Sequence, residues 1–253
     1  MRKQKNRQQN NYGIFAGFYD RLMNQEKYLG WRRIIRSTIK KYKIPKGLCL
    51  DIACGTGKIS EILLSEGFQI LGIDKSKSML VIAKKRIPKA EFIQADIRNF
   101  ELNRGDEIGL AVSFYDSMNY LLSEKEMAAA FKSIASNIPK GTIFLFDMNS
   151  RDHIKAAQKK NPIVSNYEDA YIVFRSSGEG RIWILDIDFF IKQSDGRFEL
   201  HKERHLEKGY DEKDIAPLLR ESGFKLLETH EEYRDYGKGK ECLSRTYFVA
   251  QKL

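Results

Sequence analysis

Leu50-Asp51-Ile52-Ala53-Cys54-Gly55-Thr56-Gly57 decides the fold of this 253-residue chain. Leu48–Ala53 is a compact apolar run that breaks into small residues, and Lys58–Glu66 follows with Ile59, Ile62, Leu63 and Leu64 at helical spacing. A buried strand therefore turns tightly and delivers the N-terminus of a helix. Small side chains let a ligand approach the backbone, and the exposed N–H groups can bind its polar atoms. Asp51 qualifies that picture. A carboxylate at the end of the strand repels a pyrophosphate and favours a cationic amino group. The run Gly55–Ser60 also matches a weak dinucleotide fingerprint, and Asp51 is what argues against NAD.

Outward from this turn the pattern repeats. Gln69–Asp74 predicts a second strand, Ser76 caps a helix running to about Arg86, and Glu91–Asp96, Ile108–Tyr115 and Thr142–Asn149 predict three more strands. Ser123–Ile138 is a helix opened by the capping box Ser123/Glu126. Alternating strands and helices imply βαβ units, so the expected fold is α/β: a Rossmann-like, seven-stranded, mostly parallel sheet with helices on both faces. Asp74 stands where nucleotide-binding sheets place an acid on a ribose hydroxyl pair, and Asp96 ends the third strand.

The rhythm changes after residue 164. Tyr171–Arg175, Arg181–Ile191 and Phe198–Leu206 alternate apolar and polar positions, separated by turn signals at 176–180 and 194–196. They predict an inserted three-stranded antiparallel sheet over 165–206, serving as a substrate lid or in dimerisation. Residues 12–164 and 207–253 make up the main domain. A helix near Asp211–Ser222 follows, its start displaced toward Pro217 because proline suits a first turn. Phe224–Tyr233 and Leu243–Gln251 close the sheet, the last strand antiparallel.

Bulk composition sets bounds. Hydrophobic residues at 42% and charged residues at 31% describe a globular chain. No window supplies the ~20 apolar residues of a membrane span, and the expectation is a cytoplasmic protein. Three cysteines, Cys49, Cys54 and Cys242, lack CxxC spacing and predict neither disulfides nor zinc. His201, Glu203 and His205 imitate a metal site without a further ligand nearby, so no metal is expected. The net charge of +10 includes Arg2, Lys3, Lys5 and Arg7, which leaves +6 without them; residues 1–11 read as a disordered basic tail. That tail keeps nucleic acid as a second class of partner.

The combination Asp51-x-Ala-Cys-Gly-Thr-Gly, Asp74, Ala95-Asp96 and Ser113-Phe-Tyr-Asp-Ser-Met-Asn-Tyr120 resembles the class I S-adenosylmethionine-dependent methyltransferases. Within them it is most similar to the bacterial small-molecule branch of YqeM-like and sugar-amine N-methyltransferases. The likeness runs from Phe18 onward and takes in Tyr28, Trp31, Trp183 and His201–His205. It implies a cofactor, S-adenosylmethionine, with S-adenosylhomocysteine as product. Asp51 with the backbone of Ala53, Cys54, Gly55 and Gly57 would hold its methionine part. Asp74, with Lys75 and Met79 following, would take the ribose, Asp96 and Ile97 the adenine, and Ser113 and Phe114 the methionine amine. Tyr19 and Trp31 would close over it, with residues 12–32 ordering as it binds. Ala53 replaces the family's usual glycine, which a negative φ would tolerate.

Methyl transfer from a sulfonium is an in-line displacement, so alignment and water exclusion supply most of the acceleration. Asp116, Asn119 and His205 are the polar residues expected to face the acceptor, a small molecule methylated on N or O. RNA is the alternative acceptor, although Ser113-Phe-Tyr-Asp lacks the prolines that hold a flipped base. A non-catalytic cofactor-binding protein is the third reading, and the subunit state is monomer or homodimer.

Overall fold

The computed structural model describes residues 13–23, 25–235 and 241–253. The basic tail lies outside them. In chain order the elements are α1 (Phe15–Leu22), α2 (Gln25–Lys41), β1 (Leu48–Ile52), α3 (Lys58–Ser65), β2 (Gln69–Asp74), α4 (Lys77–Arg86), β3 (Glu91–Gln94), β4 (Ile108–Ser113), α5 (Glu124–Ser136), β5 (Ile143–Asn149), α6 (Arg151–Gln158), β6 (Ile163–Asn166), β7 (Ala170–Glu179), β8 (Ile182–Lys192), β9 (Phe198–Lys208), α7 (Glu212–Glu221), β10 (Phe224–Asp235) and β11 (Glu241–Lys252). None of the described helices is long and apolar enough to cross a membrane.

The main sheet has the order β10-β11-β5-β4-β1-β2-β3. β1 pairs in parallel with β2 and β4, and β11 runs antiparallel to both β5 and β10. Period-two alternation distributes the side chains. Leu48, Leu50 and Ile52 of β1 and Phe144 and Phe146 of β5 enter one core with Phe131 of α5 and Leu219 of α7. Cys49, Leu110, Val112 and Leu145 point the other way, onto Trp31 and Ile35 of α2 and Leu63 of α3. Asp51 shares that second side and meets Ser60 of α3, whose hydroxyl donates to Oδ2.

The helix starts follow their caps. Ser76 Oγ accepts from Met79 N, and Ser123 Oγ accepts from Glu126 N at 3.2 Å. Glu126 Oε2 reaches back to Leu122 N at 3.0 Å. Pro217 does not delay α7, which begins at Glu212 and carries the proline inside it. Asp214 accepts from Asp211 N at 3.0 Å, and Ile215 and Leu219 are buried on either side of the proline. Capping and core burial together fix the start of this helix.

The insertion is larger than its alternation suggests. It is a four-stranded antiparallel sheet, β6-β7-β8-β9, not a three-stranded one. β6 was hidden because its four residues are too few to show a period. β7 also continues through 176–179, where a turn was expected, and Gly178 faces Trp183 across the pair. One face of this sheet, with Ala170, Ile172, Ile187 and Phe189, buries Phe15 and Phe18 of α1.

Gly72 of β2 shows how closely the nucleotide end of the sheet is packed. A β-carbon there would lie 2.5 Å from the Phe92 ring and 2.9 Å from Cys54 Sγ. Gly72→Ala is expected to destabilise the fold by about 1–3 kcal/mol through overpacking. The check is a lowered urea midpoint at unchanged slope.

Candidate functional site

The carboxyl ends of β1, β2 and β4 open onto one cleft, as parallel α/β sheets require. After β1 the chain passes through Ala53 at φ +54°, Gly55 at +55° and Gly57 at +81°. The condition under which alanine replaces glycine freely, a negative φ, is therefore not met at Ala53. Its methyl group is held in the left-handed region at a cost of roughly 1–2 kcal/mol. After β4, Tyr115 and Asp116 repeat the device at φ +67° and +60°. Tyr19, Asp51, Ala53, Gly55, Phe114 and Tyr115 are among the residues lining the cleft between these two turns.

Asp51 is 1% exposed. Burial pushes its carboxyl up to about 7 against the bond from Ser60, and the neighbouring Asp74 adds to the rise. Asp74 accepts from Gly55 N at 2.8 Å on Oδ2 and from Ser76 N at 2.7 Å on Oδ1. Burial likewise raises it. Two desolvated acids side by side suit a ligand that brings hydroxyl donors and positive charge, and repel a pyrophosphate. Small left-handed residues and a paired acid at the second strand thus fit S-adenosylmethionine.

Asp96 lies in a different setting. Arg98 grips it through Nε at 2.9 Å and Nη2 at 2.6 Å, and Lys75 Nζ stands 3.6 Å away. The Arg98 fork holds its carboxyl down at about 2. Ile97 packs against the core beside it, and Met79 is buried in the first turn of α4. Ser113 is fully buried, its hydroxyl without a hydrogen-bond partner.

The remaining expectations separate. Tyr19 lines the cleft from α1. Trp31 stands a layer back: it is 2% exposed, packs on Tyr115 at 4.5 Å between ring centroids, and donates from Nε1 to Asp147 Oδ2 at 2.8 Å. It anchors α2 rather than closing over a ligand. Asn119, fully buried, accepts from Asn149 N at 2.9 Å and donates to the carbonyls of Asn149 at 3.0 Å and Lys208 at 2.7 Å. Its amide joins β5 to β9 and, fully buried, does not face an acceptor. His205, 1% exposed, is enclosed between Tyr120 and Glu203.

Sequence reasoning missed the charge cluster under the β4 turn. Arg245 of β11 donates to Asp147 Oδ2 at 2.6 Å and Asn149 Oδ1 at 3.0 Å, and also pairs with Asp116. Asp147 Oδ1 accepts from Asp116 N at 3.1 Å. Glu207 of β9 accepts from Asn149 Nδ2 at 3.0 Å, and burial holds its carboxyl far above the usual range. Nothing in the local pattern of β5, β9 or β11 predicts that these charges meet.

Residues 49–141 match the methyltransferase domain family. A Geobacillus sp. (strain WCH70) protein with a provisional methyltransferase name is 31% identical, the alignment covering 95% of this chain and 99% of that one. This chain is a class I S-adenosylmethionine-dependent methyltransferase. A Streptomyces venezuelae dTDP-3-amino-3,4,6-trideoxy-α-D-glucopyranose N,N-dimethyltransferase is 36% identical over 39% of the methyltransferase and 40% of itself. The crystal structure of an S-adenosylmethionine-dependent methyltransferase from Clostridium acetobutylicum ATCC 824 superposes with a TM-score of 0.79 at 23% identity, covering 95% of this methyltransferase and 98% of that chain. That likeness shows the shared fold.

Two outcomes follow for the cradle. Asp74→Ala is expected to weaken S-adenosylmethionine binding at least about tenfold, about 1.4 kcal/mol, with the fold retained, as titration calorimetry will read. Asp51 carries an opposite pair of effects. Its folded value near 7 exceeds the ordinary 3.8, so the folded chain keeps a proton that the unfolded chain releases. Stability from this group is full below the lower value and is lost as pH rises through the upper one. Asp51→Asn is thus expected to stabilise the ligand-free protein at pH 8 by on the order of 2 kcal/mol while weakening cofactor binding. Denaturation at pH 5 and pH 8, beside calorimetry, checks both.

Proposed function

We propose that the protein moves the methyl group of S-adenosylmethionine to an amino nitrogen of a small molecule, an amino sugar being the favoured class. The observation that carries this reading is the surplus of buried carboxylate beneath the β4 turn. Asp116, Asp147 and Glu207 share one arginine, Arg245. Three carboxyl groups thus face one guanidinium, two of them, Asp147 and Glu207, raised by burial. Such a field draws an ammonium toward the turn and gives nothing to a neutral hydroxyl. Likeness to the Streptomyces N,N-dimethyltransferase supports the same acceptor chemistry.

The bound cofactor supplies an electrophilic methyl on a positively charged sulfur. The chain's own residues align and dehydrate. Asp51 and the backbone of Ala53–Gly57 hold the methionine part, Asp74 the ribose, and Asp96 with Ile97 the adenine edge. Tyr19 and Phe114 shut out water. Asp116 is the member of the acid cluster best placed to receive the proton leaving the acceptor nitrogen. It lies between Tyr115 and Ser117, both of which line the cleft, and its side chain retains some exposure. Residues 165–206 form the acceptor-side wall. RNA is a second acceptor class, favoured by the net charge of +10, and steep loss of RNA binding with salt identifies it. A cytoplasmic location and a monomer or homodimer complete the proposal.

Asp116→Asn tests the assignment, because asparagine tolerates the left-handed backbone. With a dTDP-amino sugar as acceptor, kcat/KM is expected to fall by about 100-fold or more, the range for a lost general base. Cofactor affinity should change by less than about threefold, roughly 0.7 kcal/mol. Mass spectrometry showing methyl transfer to hydroxyl acceptors alone sinks the amine reading.

A further inference from the structure

α1 forms the roof of the cleft, and its N-terminus lacks a cap of its own: the residue there is Ile14, with no side-chain bond. The cap comes from the inserted sheet. Glu203 Oε1 accepts from Ile14 N at 2.7 Å and from Phe15 N at 3.0 Å. Its other oxygen stands 3.4 Å from His205 Nε2, and His205 Nδ1 meets the Tyr120 hydroxyl at 3.1 Å. The imidazole thus stands between the Tyr120 hydroxyl, which it meets through a hydrogen bond, and the Glu203 carboxylate, which it faces at ion-pair distance. Tyr120 ends the short turn Ser117–Tyr120 on the floor of the cleft. At the other end of α1, Asp20 accepts from Thr56 Oγ1 at 2.8 Å and pairs with Arg86, which itself donates to Thr56 O at 2.8 Å. One chain of contacts therefore runs from the floor, through the inserted sheet, into the roof and back to the glycine-rich loop.

We propose that Glu203 is a positioning residue for methyl transfer: by capping α1 it sets how long the roof stays down and so how long the cofactor is retained. With α1 in place the cleft measures about 30 Å³, space for a few waters. The methionyl end of the cofactor therefore enters by displacing α1 and is sealed by its return. A carboxylate accepting two backbone N–H groups at a helix N-terminus is a charge-assisted contact that favours that return. His205 and Tyr120 hold the carboxylate in register with the floor, so the wall on the acceptor side governs the roof on the cofactor side.

The test uses the full-length protein and S-adenosylmethionine. Glu203→Ala is expected to speed cofactor dissociation about tenfold, the scale of a lost N-cap, and to raise KM for the cofactor with little change in kcat. Amide exchange should rise in residues 15–22 and stay unchanged in β1, β4 and β5. Glu203→Gln, which keeps an acceptor oxygen, should restore most of the retention. A folded Glu203→Ala protein that releases cofactor at the wild-type rate overturns the proposal, whatever its melting temperature. If that variant does not fold, Glu203→Asp, whose carboxylate is one methylene too short to cap both N–H groups, decides. Faster dissociation with matching exchange in α1 supports the proposal, and dissociation at the wild-type rate refutes it. Cofactor dissociation and amide exchange are read without any acceptor, so their outcome is separate from that of the proposed methyl transfer.

Discussion

The two central strands of the sheet, β1 and β4, must release the chain at the same edge and leave room between them. Both do so by turning left-handed. Among the described residues, non-glycine positive φ occurs at Lys43, Ala53, Tyr115 and Asp116, and three of those four lie in these two turns. Strain gathered at one edge is the mark of a site whose geometry outranks local preference. The cleft and the placing of Asp116 beside Arg245 both depend on those two turns.

Around them, acids are buried that a stability-driven sequence would avoid. Asp51 and Asp74 stand together on one side, and Asp147 and Glu207 on the other, with Arg245 the buried cation between Asp116 and Asp147. Replacing such groups by apolar ones usually favours folding. In the proposed function a positively charged ligand beside Asp51 and Asp116 restores part of the interaction those carboxylates lost with water.

Much of this was legible in sequence because it is local. A strand of five buried residues, a run of small residues and a helix with period 3.6 identify the cofactor loop without any contact map, and Asp74 and Asp96 follow from strand ends. The capping residues Ser76 and Ser123 lie where the sequence pattern places them. What was hidden is non-local. Trp31 looked like a lid because it is aromatic and N-terminal, yet its partner Asp147 is 116 residues away. Asn119 is polar and lies after β4 like a substrate ligand, yet both its N–H donors go to backbone carbonyls of β5 and β9. The sign of φ at Ala53 was beyond residue type, since alanine normally avoids that region. β6 and the inner half of the turn after β7 were too short or too polar to show a period.

The cap on α1 also orders events in time. Phe15 and Glu203 are separated by 188 positions. At synthesis rates of about 5–20 residues per second, roughly 10–40 s pass between emergence of the roof helix and emergence of the carboxylate that seats it. Through that interval Phe15 and Phe18 have no inserted sheet to cover them, while β1 to β5 can already pair. The ribosome therefore delivers the nucleotide-binding half first and the means of closing it last, which makes the apolar face of α1 the stretch of the nascent chain most in need of shelter.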